Sequence, residues 1–240
     1  RRPPPPPAPG PAAADGGPVL SARNATWMDA AASPRATPCI GLAETAGRIA
    51  YQRFDGRVNA VEVEYAGDIA DEEVDLVTAS ALKGVFRPIE SQVNAVNAAG
   101  IAEDRGIEVR ETKRSGAEDF TSLVTVTVHN DDESLSVCGT LFAGDDPRIV
   151  RIDGFRVDAI PGGRMIVSRN TDEPGVIGLI GSVMGEYDIN IAGMYNARQT
   201  IGGEAMTVYN VDQQVPEEAR EKLESDERVI ETRYISLADE

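Results

Sequence analysis

Thr171-Asp172-Glu173-Pro174-Gly175-Val176-Ile177-Gly178-Leu179-Ile180-Gly181 reads as the end of a strand, a turn and the start of a helix. Asp172 suits the cap position, where a carboxylate can accept from the free N–H groups of the first turn. Pro174 suits the first helical position, where its missing N–H costs nothing. Val176, Ile177, Ile180, Val183, Met184 and Tyr187 recur at helical spacing and predict one apolar face. Gly178, Gly181 and Gly185 share one side of that helix. Glycine inside a helix costs up to about 1 kcal/mol against alanine, so three of them predict close backbone approach to a neighbour.

The flanking segments complete a pattern. Arg164–Asn170 reads as a strand before the helix, and Asn190–Tyr195 and Glu204–Val211 read as strands after it. Residues 216–227 predict a charged helix and residues 228–237 a last strand. The order βαββαβ predicts a ferredoxin-like sandwich. Upstream, residues 40–53 predict a helix, 58–65 an alternating strand, and 71–86 a helix led by acids and ended by Pro88. Residues 93–105 predict a short strand, a turn and a helix; strands follow over 107–113, 122–130, 134–142, 148–152 and 155–160. The fold class is therefore α+β, with a largely antiparallel sheet in the first domain.

Arg169–Gly178 and Asp188–Ala192 resemble an ACT domain, most closely the one that ends D-3-phosphoglycerate dehydrogenase. Leu42–Arg48, Asn97-Ala98, Glu103–Ile107, Gly139–Phe142 and Arg148–Val150 resemble the intervening domain of the long-form enzymes of that family. The resemblance implies an intervening effector domain over 39–160 and an ACT domain over 164–238. It implies L-serine, or another small amino acid, bound where two ACT domains pair in a homo-oligomer. The residues it points to are Asn170, Asp172, Gly175, Val176, Ile177 and Asn190. Their chemistry agrees: N–H groups opening the helix at 175–177 can receive a carboxylate, Asp172 an ammonium, and the Asn190 amide can donate and accept. Asn190 would come from one subunit and the Asp172–Ile177 turn from the other or the same one. For an anionic effector in the intervening domain, the resemblance carries Lys113. Arg114, Arg105 and Lys83 join it as scarce cations in an acidic chain, against the plainer reading that each offsets acidic neighbours.

Composition narrows the partners. The 240 residues carry net charge −17, with 20 Arg and three Lys against 40 acids. Such a surface repels phosphate backbones and anionic membranes, so neither nucleic acid nor membrane is an expected partner. Acid excess with almost no lysine resembles proteins of salt-loving archaea. No apolar run approaches the roughly 18 residues needed to span a membrane and no signal peptide is read, so the expected compartment is the cytoplasm. Cys39 and Cys138 have no ligand spacing, and Cys138 reads as a small buried hydrophobe. Residues 1–38 hold ten of the 15 prolines and net charge +2, and predict a disordered or polyproline II segment not native to the domain behind it. A reading-frame or start-site error upstream of a longer gene would produce such a segment.

No catalytic or metal site is read. No Gly-x-Gly-x-x-Gly joins a strand to a helix, so no cofactor is expected here, and NAD enters only through a catalytic domain joined to this chain. His129, the single histidine, falls in an alternating strand with no nucleophile near it in sequence. The expected function is the regulatory C-terminal portion of D-3-phosphoglycerate dehydrogenase, without activity alone. Two other classes stay open: the regulatory β chain of an L-serine dehydratase, and a stand-alone ACT module for amino-acid binding or dimerisation.

Overall fold

A computed structural model describes residues 19–24 and 32–238. The first domain contains β1 (Val19–Asn24), α1 (Cys39–Arg53), β2 (Ala60–Gly67), a 3-10 turn (Asp68–Asp71), α2 (Asp75–Phe86), α3 (Ala98–Asp104), β3 (Glu108–Arg114), β4 (Ser122–His129), β5 (Ser134–Phe142), β6 (Asp146–Ile152) and β7 (Phe155–Ala159). These strands form one sheet in the order β1-β3-β2-β4-β5-β6-β7, in which only β2 and β3 run parallel. Val61, Val63 and Tyr65 share one face of β2 and are fully buried there, as their alternation predicts.

The second domain contains β8 (Arg164–Thr171), α4 (Val176–Glu186), β9 (Ile191–Arg198), β10 (Glu204–Val211), α5 (Glu217–Glu224) and β11 (Val229–Ser236). Its sheet runs β11-β8-β10-β9 with every neighbour antiparallel, the ferredoxin-like arrangement. Ile166, Tyr209 and Val211 point from this sheet to α4 and α5, where Val176, Ile180, Val183, Met184, Ala219 and Leu223 close a small core.

The other face of that sheet is not open to solvent. Met165, Val167, Met206, Val208 and Ile235 join the core of the first domain, beside residues of α1 and α2. Strand alternation sends odd and even positions of β8 to different cores, so the two domains dock through one shared apolar cluster. Burying five such side chains contributes on the order of 10 kcal/mol as an upper estimate. α1 also grips the end of β11: Gln52 Nε2 donates to Ser236 O at 3.1 Å, and Ser236 N–H donates to Gln52 Oε1 at 2.9 Å.

Several expectations are corrected. In residues 1–38, the segment 19–24 forms β1, pairing with β3, and residues 33–38 form turns that bury Ala36. The Pro3–Pro7 run lies outside the described residues. The second helix begins at Asp75 rather than Asp71. The acids before it hold other parts: Glu73 O accepts from Ser33 N–H at 3.1 Å and Glu72 O from Lys113 Nζ at 2.7 Å. The short strand expected near Val93 is a turn, because Asn94 and Asn97 side chains take up local N–H groups. A Cβ on Gly178, Gly181 or Gly185 would meet nothing within 4 Å, so the α4 glycines face open space. Close approach occurs between α1 and α2 instead, where a Cβ on Gly47 would fall 2.3 Å from Ala81 O and one on Gly84 would fall 2.0 Å from Glu44 O.

Candidate functional site

The turn between β8 and α4 is built by three neighbours. Asp172 N–H donates to Gly203 O at 2.8 Å, locking the turn to the β9–β10 hairpin. Thr171 N–H donates to Arg228 O at 2.8 Å, and Arg228 Nη1 donates to Pro174 O at 3.4 Å, tying the same turn to the head of β11. Asp226 holds Arg228 in a fork, with two contacts of 2.7 Å. That fork, together with the Arg228 N–H, draws the Asp226 carboxyl down to about 2.

Asp172 does not cap the helix. Its Oδ2 accepts from the Gly202 N–H at 3.0 Å and from Arg198 Nη1 at 2.8 Å, and these bonds hold its carboxyl below the ordinary range. A charged partner and a fixed backbone donor outcompete the helix N–H groups for one carboxylate. Pro174 correspondingly precedes the helix; Gly175, at φ 98°, is the boundary residue, a left-handed conformation that glycine adopts without strain. The helix has no side-chain cap and no acid in its first turn. The N–H groups of Val176 and Ile177 have no acceptor among the described residues and carry the positive end of the α4 dipole.

The six expected residues of this site separate into groups. Gly175, Val176 and Ile177 present backbone; the Val176 side chain is buried in the small core and Ile177 is exposed. Asn170 is a buried peg: its Nδ2 donates to Thr171 O at 2.7 Å and its Oδ1 accepts from Thr207 Oγ1 at 3.3 Å, so its side chain is committed inward. Asn190 is exposed at the other end of α4. Its N–H donates to Gln213 Oε1 at 2.8 Å and its Nδ2 to Asp212 Oδ2 at 2.7 Å, leaving Oδ1 as an acceptor without a partner among the described residues. Strand register fixes the separation. Val211 pairs with Arg164 and Ile191 at one end of the sheet, and Ala205 pairs with Asn170 and Arg198 at the other. Six steps of strand are about 20 Å, so one protomer cannot bring Asn190 to its own turn.

The four cations expected at an anion site in the first domain do not converge. Lys113 and Arg114 are consecutive in β3 and point to opposite faces. Lys113 donates to the Glu72 carbonyl, whereas Arg114 Nε pairs with Glu64 at 2.9 Å. Lys83 on α2 pairs with Glu44 on α1 at 2.8 Å, and Arg105 lies 3.8 Å from Glu90. Three of the four thus offset acidic neighbours. Gly202 and Arg228, which brace the ACT turn, and Arg198, which pairs with the Asp172 side chain, were invisible in sequence: they lie in a hairpin and a strand start with no motif, and only pairing brings them there.

Other chemistry is sparse. Among the described residues no group of three or more His, Cys, Asp or Glu side chains could hold a metal ion. No helix among them is long and apolar enough to cross a membrane. Cys39 and Cys138 are free and buried, and desolvation pushes both thiols up, Cys39 to about 11.

Fold and site together define a two-domain α+β protein with an ACT domain at its second half, and comparison with known proteins agrees. Residues 35–153 match the family described as D-3-phosphoglycerate dehydrogenase intervening domain, and residues 164–228 match the ACT domain. The chain is 37% identical over 201 residues to the D-3-phosphoglycerate dehydrogenase of Methanocaldococcus jannaschii, covering 83% of this chain and 38% of the relative. It is 35% identical over 227 residues to that of Archaeoglobus fulgidus and 32% over 225 residues to that of Bacillus subtilis, covering in each case 93% of this chain and 43% of the relative. The chain belongs to the D-3-phosphoglycerate dehydrogenase family, to the C-terminal part that carries the intervening and ACT domains. It spans about two-fifths of the length of the curated relatives it matches. The ACT match stops at Arg228, and the structure adds β11 as the strand that completes the sheet.

Proposed function

We propose that this chain is a serine-sensing regulatory portion of a D-3-phosphoglycerate dehydrogenase, without hydride-transfer activity alone. L-serine would sit between two ACT domains. Its carboxylate would meet the open N–H groups of Val176 and Ile177 in one protomer, and its ammonium the Asp172 carboxylate of that protomer and Asn190 Oδ1 of the second. The observation that carries this reading is the separation of the two half-sites: an uncapped helix start at one end of α4 and a braced amide with a free acceptor at the other. A two-fold axis that sets two α4 helices side by side and antiparallel matches each half-site to its complement. β9 is an edge strand, and its antiparallel pairing with a second β9 would build such a dimer and bring the exposed glycine face of α4 near its copy.

Serine would regulate by binding one subunit arrangement more tightly than another, restraining the first committed step of serine synthesis in the full-length enzyme. NAD would bind only the catalytic domain joined to this portion. Lys113, whose ammonium faces a backbone carbonyl and no carboxylate among the described residues, remains the residue proposed for an anionic effector in the intervening domain. The test is calorimetric titration of the full chain with L-serine, with glycine and L-valine as controls, alongside light scattering for mass. The expected result is a dimer that saturates with serine in preference to the controls. A monomer, or a dimer that binds none of the three amino acids, removes the reading.

A further inference from the structure

We infer that Arg198 is a resident competitor in the amino-acid site, an internal cation that occupies Asp172 and weakens its hold on the ligand's ammonium group. This inference rests on the proposed site and goes beyond it by naming the residue that sets its affinity. Arg198 ends β9, and its guanidinium meets Asp172 Oδ2 at 2.8 Å. The Gly202 N–H meets the same oxygen at 3.0 Å. Oδ1 has no hydrogen bond among the described residues and is the oxygen left for a ligand. An ammonium arriving there meets a carboxylate whose charge is already shared with a guanidinium a few ångströms away. The Asp172 side chain is 18% exposed and that of Arg198 is 50% exposed, so the pair stands at the surface where a ligand reaches it.

Like charges about 4 Å apart in water repel by roughly the energy of a five-fold change in equilibrium. Two bonds of the hairpin do not involve Arg198: Asp172 N–H to Gly203 O fixes the backbone of the turn, and the Gly202 N–H meets the carboxylate. Arg198 is therefore separable from the architecture of the turn.

The test compares the wild-type chain with Arg198→Gln and Arg198→Lys by calorimetry. The probes are L-serine and L-glycerate, which has a hydroxyl where serine carries its ammonium. Arg198→Gln is expected to bind L-serine up to about five-fold more tightly and to bind L-glycerate, an anion that loses a nearby cation, no more tightly than wild type, while Arg198→Lys stays at the wild-type value. Circular dichroism and melting temperature check that each variant is folded. Unchanged or weaker serine binding by folded Arg198→Gln overturns the inference, and so does an equal change for both probes, which marks a structural role. If neither wild type nor Arg198→Gln binds serine, glycine or valine, the proposed function itself fails and this inference with it.

Discussion

Arg53 in the last turn of α1 and Glu231 on β11 face each other across the domain boundary, Nη2 to Oε2 at 3.5 Å, with the arginine side chain only 2% exposed. The same guanidinium meets Asp153 of the first domain at 3.2 Å. The three residues line a cavity of about 400 Å³ between the domains, together with Phe54, Glu133 and Arg169. A buried cation bonded to one carboxylate from each domain couples their positions, in addition to the shared apolar cluster. Removing Arg53 takes the cation from Asp153, leaves Glu231 only its 3.1 Å contact with Arg233, and strips packing from the boundary. Arg53→Ala is expected to cost about 3 kcal/mol in urea unfolding, and Glu231→Gln, which keeps the Asp153 partner, about 1 kcal/mol. Equal effects of the two substitutions would mean that the pair does not organise the boundary.

Asn190 and Asp172 belong to opposite half-sites, so a composite site needs both. Asn190→Ala and Asp172→Ala are each expected to weaken L-serine binding about ten-fold or more, the scale of losing a hydrogen bond to a charged group. An equal mixture of the two variants offers a sharper check. Among heterodimers, one composite site has both residues intact and the other has neither, so partial recovery of tight binding in the mixture is expected.

The glycines give a contrast measurable by thermal melting. Gly47→Ala and Gly84→Ala should lower the melting temperature strongly, because the new methyl group would overlap backbone atoms of the facing helix. Gly178→Ala and Gly181→Ala should leave a monomeric protein unharmed or raise its stability by up to about 1 kcal/mol through helix propensity. If they instead disrupt the dimer, the glycine face of α4 is the subunit contact.

Acid should loosen the ACT turn through Asp226. Its carboxyl titrates at about 2 in the folded protein, against an ordinary value of 3.8. A depressed folded value means that its contribution is complete above about pH 4 and is lost as pH falls toward 2. Protonation opens the fork on Arg228, the residue that donates to Pro174 O. Serine affinity measured at neutral pH is expected to drop in Asp226→Asn, which mimics the acid state. The melting temperatures of wild type and variant should approach one another below pH 3.

The thiols should be silent in the native state. Cys39 and Cys138 are buried, and both are pushed above their ordinary values. Labelling by a thiol reagent near pH 8 is expected to follow unfolding rather than the thiolate fraction of a free cysteine. Rapid stoichiometric labelling of the native chain would contradict that burial.

How far the sequence reached depended on the range of the interaction. The apolar spacing of Val176, Ile180, Val183 and Met184 marks the buried side of α4, and the alternation of Val61, Val63 and Tyr65 marks the inner face of β2. Periodicity of this kind is local, and it was sufficient to order the strands and helices of the ACT domain and to locate its turn. The residues at 172–177 and 190 carried the resemblance from which an amino-acid site is proposed. What local spacing could not contain is which donor Asp172 would choose: its partners Arg198 and Gly202 lie 26 and 30 positions away and arrive only when β9 and β10 pair. The same holds for the glycines. Their cost inside a helix is written in the sequence, but only the packing of α1 on α2 decides that Gly47 and Gly84, rather than Gly178 and Gly181, stand at a close approach. The chain by itself determined most of its elements and the position of its turn. The tertiary structure decided the single core shared by both domains and the opposite placement of Asp172 and Asn190, because register and docking are set by contacts distant in sequence.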